Sequence, residues 1–318
     1  MRTTSGLPWR LAGALGALGA AALLAAHAHA QGAAAAPPPQ LVWAPRPTVM
    51  TPYVAPNRPI TKLADVLARH RGQASWRELI GKDPEIRAEY IQMAPGQKTQ
   101  PQMLADQRLG IIVWDGQLRV SIEGQEPFVA GKGFMIQIPF RVPYSLETVG
   151  DKPSLRFETS PTSATVIYPA SETPPKVAGQ TWYKASVPGR DTYERERSKP
   201  YLDFFKEAGK APGPQGIFMR DDRNYFNVIR GKGIPRQPDS VKGHFHANLG
   251  EFWFIMEGQI SFLIDGVPYF VSEPGDVVYA PAGRFHRAQF AGPGMATRIA
   301  ILGYPYNAHF YDPDAGPD

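Results

Sequence analysis

Three side chains that could bind a metal ion lie close together in the sequence, at His244, His246 and Glu251. The two histidines are separated by one residue, so on a β-strand they would point to the same side. The glutamate follows five positions later and can return to that side after a bend. Imidazole nitrogens and carboxylate oxygens are ligands for divalent transition metals. The spacing therefore predicts three corners of a metal site.

A second segment, from Gly275 to His286, offers a fourth candidate ligand. Its pattern G-x5-P-x-G-x2-H places His286 just past a tight turn, on a strand that need only lie beside the first. Three of the seven histidines in the chain lie in these two segments. That concentration argues against the alternative, in which they are ordinary polar residues of a sheet. Three imidazoles and one carboxylate would leave a divalent ion with open positions.

The two segments resemble the paired motifs of the cupin superfamily, H-x-H-x4-E-x6-G and G-x5-P-x-G-x2-H, with every spacing kept. The resemblance implies a small antiparallel β-barrel that holds one divalent metal ion, which could be Mn, Fe, Co, Ni, Cu or Zn. It assigns the metal ligands to His244, His246, Glu251 and His286. Pro238 stands where the first motif usually begins with glycine, and Phe290 stands where the second usually ends with asparagine. Neither stands at a ligand position, so both departures concern the pocket.

Alternation along the strands predicts the wall of a substrate pocket beside the metal. Four apolar residues follow the ligands at period two: Trp253, Ile255, Ala288 and Phe290. We expect these side chains to exclude water on that side, which would strengthen the effect of the ion on a bound oxygen atom. The alternative reading of Trp253 and Phe290 is plain core packing.

Two classes of function fit such a site. The resemblance allows metal-dependent enzymes, and the intact ligand set favours an oxidoreductase of dioxygenase type, or a decarboxylase, acting on a small oxygen-rich substrate. Glu251 is the candidate catalytic residue, because its charge decides how much positive charge the ion retains. The alternative is a non-catalytic protein that uses the metal to bind a carboxylate or sugar ligand.

An internal repeat extends the resemblance to a second barrel. A shift of 142 positions, which carries Gly116 onto Gly258, aligns the two halves without a gap. The chain therefore resembles a bicupin, an all-β protein with two tandem jelly-roll barrels, each a double-stranded β-helix, and short flanking helices. At the ligand positions the N-terminal copy has Gln102, Leu104, Leu109 and Tyr144. Inward-facing leucines would each contribute about 1.5–3 kcal/mol by burial, so we expect a degenerate, metal-free barrel; whether it binds another ligand is left open.

Composition divides the chain into five parts. A basic start, an apolar run and an Ala-x-Ala end predict a signal peptide cleaved before Gln31, and hence a periplasmic or secreted protein. The predicted parts are the signal peptide at 1–30, an arm rich in proline and alanine at 31–60, the N-terminal barrel at 61–150, a crossover at 151–215 and the metal-binding barrel at 216–318. Short helices are predicted at 63–70, 76–80 and 202–208, and the mixed charges at 191–199 predict a solvated surface.

The charge balance and the absence of cysteine exclude several partners. Without the two arginines of the leader, 32 basic residues face 29 acidic ones, which is too mild an excess for a nucleic-acid partner. The apolar run of the leader is short for a stable membrane anchor. The chain has no cysteine, so it can form no disulfide and no thiolate–metal bond. A small-molecule substrate or ligand is the expected partner, and homo-oligomerisation is left open.

Overall fold

The computed structural model describes residues 40–194, 198–303 and 308–314. The predicted leader and its cleavage site before Gln31 lie outside these residues. The chain separates into two units, one ending at Trp43 and the other beginning at Ala44. All the described helices and strands lie in the second unit. In the described part of the chain, no helix combines the length and the apolar character needed to cross a lipid bilayer.

The first half of the second unit is almost entirely β-structure. Its strands are β1 (Ile60–Thr61), β2 (Trp76–Lys82), β3 (Ile86–Met93), β4 (Met103–Leu104), β5 (Leu109–Asp115), β6 (Gln117–Ile122), β7 (Phe128–Ala130), β8 (Phe134–Ile138), β9 (Tyr144–Val149), β10 (Ser154–Pro161) and β11 (Val166–Ile167). The helix α1 (Leu63–Arg69) lies between the first two strands.

The second half repeats this pattern. Its strands are β12 (Tyr201–Asp203), β13 (Gly216–Met219), β14 (Tyr225–Lys232), β15 (His244–Phe245), β16 (Glu251–Glu257), β17 (Gln259–Ile264), β18 (Val267–Ser272), β19 (Val277–Ala280), β20 (His286–Ala291), β21 (Met295–Leu302) and β22 (Phe310–Tyr311). The helix α2 (Phe204–Ala208) follows β12 directly.

The strands form two barrels, each closed by a large sheet and a smaller one. The N-terminal barrel has the order β12-β8-β5-β10-β3-β2 in its large sheet, opposed by β7-β6-β9 and the pair β11-β4. The C-terminal barrel has the order β1-β19-β16-β21-β14-β13, opposed by β18-β17-β20-β15-β22. Neighbouring strands run antiparallel in both barrels, as in the central β10–β3 and β14–β21 pairs. The predicted all-β fold with two jelly-roll barrels and short helices is confirmed.

The two barrels keep the sequence repeat in their strand pairing. The strands β5, β6 and β9 begin 142 residues before β16, β17 and β20. A bridge between Gln102 and Tyr144 in the first barrel corresponds to the pairing of His244 with His286 in the second. Residues that the sequence repeat aligns therefore occupy equivalent positions in the two barrels.

The positions equivalent to the ligand residues carry mainly apolar side chains in the N-terminal barrel. Leu104 and Leu109 are 5% and 2% exposed and lie in the apolar interior of the N-terminal barrel together with Tyr144. Gln102 Nε2 donates a hydrogen bond to the Tyr144 hydroxyl at 2.9 Å. Hydrocarbon and one amide–phenol pair thus occupy the volume that the ligand side chains occupy in the other barrel.

The large sheets of the two barrels pack against each other through aromatic side chains. The Phe254 ring lies 5.2 Å from Trp114 and 5.1 Å from Phe157, measured between centroids. Strand β16 is therefore covered on both faces, one by its own barrel and one by the neighbouring barrel. This explains why its sequence, EFWFIME, is apolar almost throughout instead of alternating.

The barrels also exchange edge strands, which changes the predicted boundaries. Strand β1 pairs with β19 of the C-terminal barrel, and β12, predicted to lie in the crossover, pairs with β8 of the N-terminal barrel. Strand β10 lies at the centre of the N-terminal sheet, between β3 and β5. The predicted end of that barrel at residue 150 is therefore too early, because its last central strand runs from Ser154 to Pro161.

Two local predictions were wrong. Residues 76–80, predicted as a helix, belong to strand β2, which pairs with β3. The mixed-charge segment 191–199 is not solvated throughout, because Asp191 is 1% exposed and accepts a hydrogen bond from Arg108 Nε at 2.6 Å. The helix predicted at 202–208 begins at Phe204, after Asp203 accepts the N–H of Lys206 as its N-cap.

Candidate metal centre

One short strand pairing and the start of a strand in the opposing sheet bring the predicted ligands together in the C-terminal barrel. His244 of β15 lies opposite His286 of β20, and Glu251 is the first residue of β16, which belongs to the opposing sheet. The turn before His286 is held by the Gly283 N–H, which donates to the carbonyl of His246 at 2.7 Å. The turn and both histidine-bearing strands are thus connected through backbone hydrogen bonds.

The four predicted ligand residues converge. One potential ligand atom from each of them lies within 4.8 Å of the others, and this group is formed by His244, His246, Glu251 and His286. Glu251 Oε2 is 3.0 Å from His246 Nε2, 3.2 Å from His286 Nε2 and 4.0 Å from His244 Nε2. His244 and His286 approach each other at 3.2 Å between their Nε2 atoms. A carboxylate oxygen and three ring nitrogens therefore face one small volume.

Hydrogen bonds from the Nδ1 atoms of His246 and His286 orient the two ligand rings. His246 Nδ1 lies 3.0 Å from the carbonyl of Ala308, and His286 Nδ1 lies 3.0 Å from that of Arg284. A carbonyl only accepts, so each Nδ1 carries its proton and each Nε2 can offer a lone pair to the centre. This arrangement is the usual outer support of metal-binding histidines. The residues present fit one divalent ion.

Burial and mutual contact shift the ionisation of the centre. Burial alone would raise the pKa of Glu251, but the hydrogen bonds and charges of His246 and His286 hold it well below its ordinary value. Burial alone would lower the pKa of His246, but the hydrogen bond and charge of Glu251 raise it above its ordinary value. The carboxylate is therefore ionised at neutral pH and is ready to serve as a ligand.

A cavity of about 410 Å³ opens beside the four residues. Its wall includes the ligands His244, Glu251 and His286, and it is lined by Tyr225, Asn227, Ile229, Ile234, Gln237, Trp253, Arg287, Ala288, Gln289, Phe290, Arg298, Ala300, Leu302 and His309. This volume is in the range of cavities that hold small ligands.

Three of the four predicted pocket residues line this cavity, namely Trp253, Ala288 and Phe290. Ile255 does not: it is fully buried in the apolar core of the barrel. Ile255 does lie on the same side of the strand as Glu251, as alternation requires. However, the indole of Trp253 comes first along the strand, and it packs 5.3 Å from Phe262 across the barrel. The prediction of Ile255 as a pocket residue was therefore wrong. Its side chain lies on the predicted side of the strand, but it is buried in the core and does not line the cavity.

The cavity is also lined by polar residues that the sequence did not single out. Gln289 is 6% exposed, and its Nε2 atom is buried with no hydrogen-bond partner among the described residues. The same holds for the Oε1 atom of Gln237. The guanidinium of Arg298 lies over the Phe290 ring, 5.2 Å from its centroid. The cavity thus combines an apolar wall with amide and guanidinium groups.

Sequence reasoning also missed His309, which lines the cavity from the C-terminal segment. Its ring lies 4.4 Å from that of His244 and 4.7 Å from that of His246. No spacing rule connects His309 with the motif. The one available signal was the alternation H-x-Y at residues 309–311, which puts an imidazole and a phenol on the same side of a short strand.

Fold and site together define a two-barrel β-protein whose second barrel carries four residues that can hold one divalent metal ion. Residues 234–302 match the family described as Cupin domain. No curated protein sequence matches the chain.

Two solved structures superimpose on the chain. Salicylate 1,2-dioxygenase from Pseudaminobacter salicylatoxidans superimposes with a TM-score of 0.51 at 11% sequence identity, over 76% of this chain and 83% of the other. Oxalate decarboxylase from Bacillus subtilis superimposes with a TM-score of 0.44 at 13% identity, over 74% of this chain and 73% of the other. At these identities the likeness concerns the fold alone.

Proposed function

We propose that the protein is a metal-dependent oxidoreductase of dioxygenase type that acts on a small, flat, oxygen-rich substrate bearing a carboxylate. The observation that carries this proposal is the cavity beside the metal ligands, because its volume suits a small ligand and both apolar and polar side chains line it. The proposal is thus built on the site of this chain. The dioxygenase that shares its fold is consistent with it.

The apolar part of the cavity favours a substrate with an aromatic or aliphatic body. Apolar side chains from both sheets line the cavity: Trp253 and Ile229 from the large sheet, Ala288 and Phe290 from the opposing sheet, and Ile234 from the segment after β14. Burial of apolar surface is worth about 25 cal/mol per Å². A small diacid without a hydrocarbon body would gain nothing from these side chains and would leave much of the 410 Å³ empty. Cavity shape therefore favours a ring-sized substrate over oxalate.

The polar part favours a carboxylate. Arg298 offers a planar guanidinium, which binds carboxylates in a two-pronged manner. Gln289 is on strand β20 of the opposing sheet and is among the residues that line the same cavity, and its amide nitrogen has no described partner. A carboxylate on the substrate would supply the acceptor that this buried donor requires.

The roles of the residues follow from these positions. His244, His246, Glu251 and His286 would hold the ion, and the cavity wall would orient a substrate whose oxygen atoms face them. Bound there, a redox-active ion would polarise substrate oxygen and provide the electron chemistry needed for reaction with dioxygen. Trp253 lies 5.1 Å from His286 between ring centroids and keeps bulk water from that ligand.

Two alternatives remain part of the test. A decarboxylase would use the same ligands without consuming oxygen, and a binding protein would retain a carboxylate or sugar ligand without turning it over. Both fit the ligand set. The apolar wall and Arg298 bear on the shape and charge of the bound molecule, and oxygen uptake separates the three functions.

The experiment compares oxygen uptake and carbon dioxide release by protein loaded separately with Fe(II), Mn(II), Co(II), Ni(II), Cu(II) or Zn(II). The substrates are hydroxybenzoates, catechols, flavonols and oxalate, and His246→Ala is the metal-free control. Stoichiometric oxygen uptake with a ring substrate is expected. Carbon dioxide release without oxygen uptake would support the decarboxylase, and binding without either would support the binding protein.

Arg298→Gln tests the carboxylate assignment within the same assay. We expect KM to rise at least about tenfold for hydroxybenzoates, since a charge-assisted hydrogen bond contributes roughly 1.5–3 kcal/mol. KM for catechol, which has no carboxylate, should change little. An equal effect on both substrates would contradict the assignment.

We also propose that the protein is exported and matures at Gln31, on the basis of the leader composition. N-terminal sequencing of protein from a periplasmic fraction should begin with Gln31. A retained leader on membrane-associated protein would contradict export with cleavage.

A further inference from the structure

The C-terminal segment adds a strand to the strand that carries the first two histidine ligands. Strand β22 pairs antiparallel with β15, with His244 opposite Tyr311 and Phe245 opposite Phe310. Continuing this register by one position sets His309 opposite His246. Paired residues in an antiparallel ladder point to the same side, so the pairing directs His309 and Tyr311 toward the side on which the ligands lie.

The ring distances confirm this direction. The rings of His244, His246 and His286 lie 4.6–5.3 Å from one another, measured between centroids. His309 lies 4.4 Å from His244 and 4.7 Å from His246. His309 is therefore as close to two of the ligand rings as the ligand rings are to one another. It also lines the same cavity.

The segment is attached at more than one point, so the approach of His309 is part of the fold. The carbonyl of Ala308 accepts the proton on His246 Nδ1 at 3.0 Å. The Phe310 ring packs 5.3 Å from that of Phe245, and Lys242 Nζ lies 3.5 Å from Asp312 Oδ2. Contacts on both sides of His309 thus fix its backbone beside the metal centre.

We propose that His309 is a fifth protein ligand of the metal ion, contributed from the solvent side by the C-terminal strand. His246 and His286 are 2% exposed, whereas His309 is exposed and can reorient by rotation of its side chain on a nanosecond timescale. The donor set becomes four imidazoles and one carboxylate. A nitrogen-rich set of this kind favours Fe, Ni, Cu or Zn over the oxygen-preferring Mn. This assignment concerns metal binding alone and is independent of the reaction that the site performs.

The test counts imidazoles on the bound ion. Metal-free full-length protein receives one equivalent of Cu(II) at a fixed pH, and pulsed EPR determines the number of coordinated imidazoles. We expect four in the wild type and three in His309→Ala. Three in the wild type, or an unchanged count of four in the variant, would overturn the proposal. Because the wild-type count needs no substitution, the test does not depend on the folding of a variant.

A second readout measures affinity. Competition with a chromophoric chelator should show that His309→Ala and His309→Gln bind Cu(II) at least about tenfold more weakly than the wild type. Loss of a residue that only supports a metal ligand already weakens metal binding by about this factor. His70→Ala is the matched control, because His70 is bonded to Glu78 near the end of α1 and should leave both count and affinity unchanged. Wild-type affinity in both His309 variants would contradict the proposal. Neither result bears on the oxygen-uptake assay, so the two proposals can fail separately.

Discussion

Glu251 determines the charge of the metal centre, since the other three ligands of the predicted set are neutral imidazoles. Its carboxylate is 5% exposed and contacts His246 and His286. One carboxylate lowers the charge of a divalent ion from +2 to about +1, which favours the oxidised state of iron or manganese.

Glu251→Gln should therefore reduce turnover more than metal content. The amide oxygen can still ligate, so we expect near-stoichiometric metal by elemental analysis and kcat reduced at least about a hundredfold, on the order of 3 kcal/mol in the barrier. If the protein were instead a binding protein, the more positive site should retain an anionic ligand as well as before or better. A variant with full metal and full activity would contradict an enzymatic role for Glu251.

Asp83, a buried carboxyl group outside the predicted ligand set, gives the protein a further pH dependence. It is 9% exposed, and burial raises its pKa to about 6, although the N–H groups of Ile86 and Glu85 donate to it and oppose the shift. A carboxyl group whose pKa is higher in the folded than in the unfolded state stabilises the fold at low pH. This contribution is complete below about pH 4 and is lost as the pH rises to about 6.

Asp83→Asn should remove this dependence. The wild type should lose stability between pH 4 and pH 7, whereas the variant should not. The free energy of unfolding of the variant minus that of the wild type should therefore rise by up to roughly 3 kcal/mol over this range. Urea denaturation at several pH values measures it. Parallel curves for the two proteins would show that Asp83 does not titrate in this range.

At the scale of residues, the sequence predicted what spacing and alternation control. The four ligand positions needed only two local motifs and the pairing of two strands. His309 was missed because its place depends on β22 pairing with a strand more than 60 residues away. Gln289 was missed because its importance depends on the absence of a partner for a buried amide, which no local pattern indicates.

The N-terminal arm, predicted at residues 31–60 from its proline and alanine content, supports the turn that precedes His286. Arg46 Nε donates to the carbonyl of Gly283 at 2.9 Å, and its guanidinium also pairs with Asp265. Arg284 in turn donates to the carbonyl of Thr51 in the arm at 2.6 Å. The arm thus holds the metal-binding turn from outside the barrel.

Arg46→Ala should loosen this turn. We expect a loss of roughly 1–2 kcal/mol in the free energy of unfolding and a rise of up to about tenfold in the metal dissociation constant, as for other outer supports of metal ligands. Thermal denaturation and chelator competition measure the two effects. Arg71→Ala, at an exposed arginine beyond α1, is the control and should change neither. Unchanged metal affinity in Arg46→Ala would mean that the arm stabilises the fold without positioning His286.

At the scale of elements, the errors have one cause, which is pairing between distant parts of the chain. The segment Trp76–Ile80 has a composition that suits a short helix or a strand, and it forms a strand because it pairs with β3. Residues 151–215 were predicted as a crossover, but strand β12 within them joins the sheet of the N-terminal barrel. Asp191 is buried because Arg108, far away in sequence, reaches it. The hairpin of β17 and β18, by contrast, turns at Asp265-Gly266, a local pattern that favours such a turn.

The whole molecule should bind one divalent metal ion. Among the residues that the structure describes, the cluster of three histidines and one glutamate is the one group suited to a metal, and leucines occupy the equivalent volume in the N-terminal barrel. We expect elemental analysis to give about one ion per chain and His246→Ala to abolish binding.

Stability provides a second measure of the same stoichiometry. Metal at a hundred times its dissociation constant should stabilise the wild type by about 2.7 kcal/mol and leave His246→Ala unaffected. Two ions per chain, or stabilisation of the variant by the metal, would show that the N-terminal barrel also binds an ion.

The exchange of edge strands limits how the gene can be divided. A fragment containing residues 216–302 would include the complete motif and most of the cavity, but it would lack Ile60 and Thr61, which pair with Val278 and Val277. The open edge would be available to another copy, and the aromatic face that now packs on the N-terminal barrel would meet water. The metal-binding barrel is therefore not a portable module. A library or a fusion that aims to transplant this centre has to carry the N-terminal barrel with it, even though that barrel contributes no ligand.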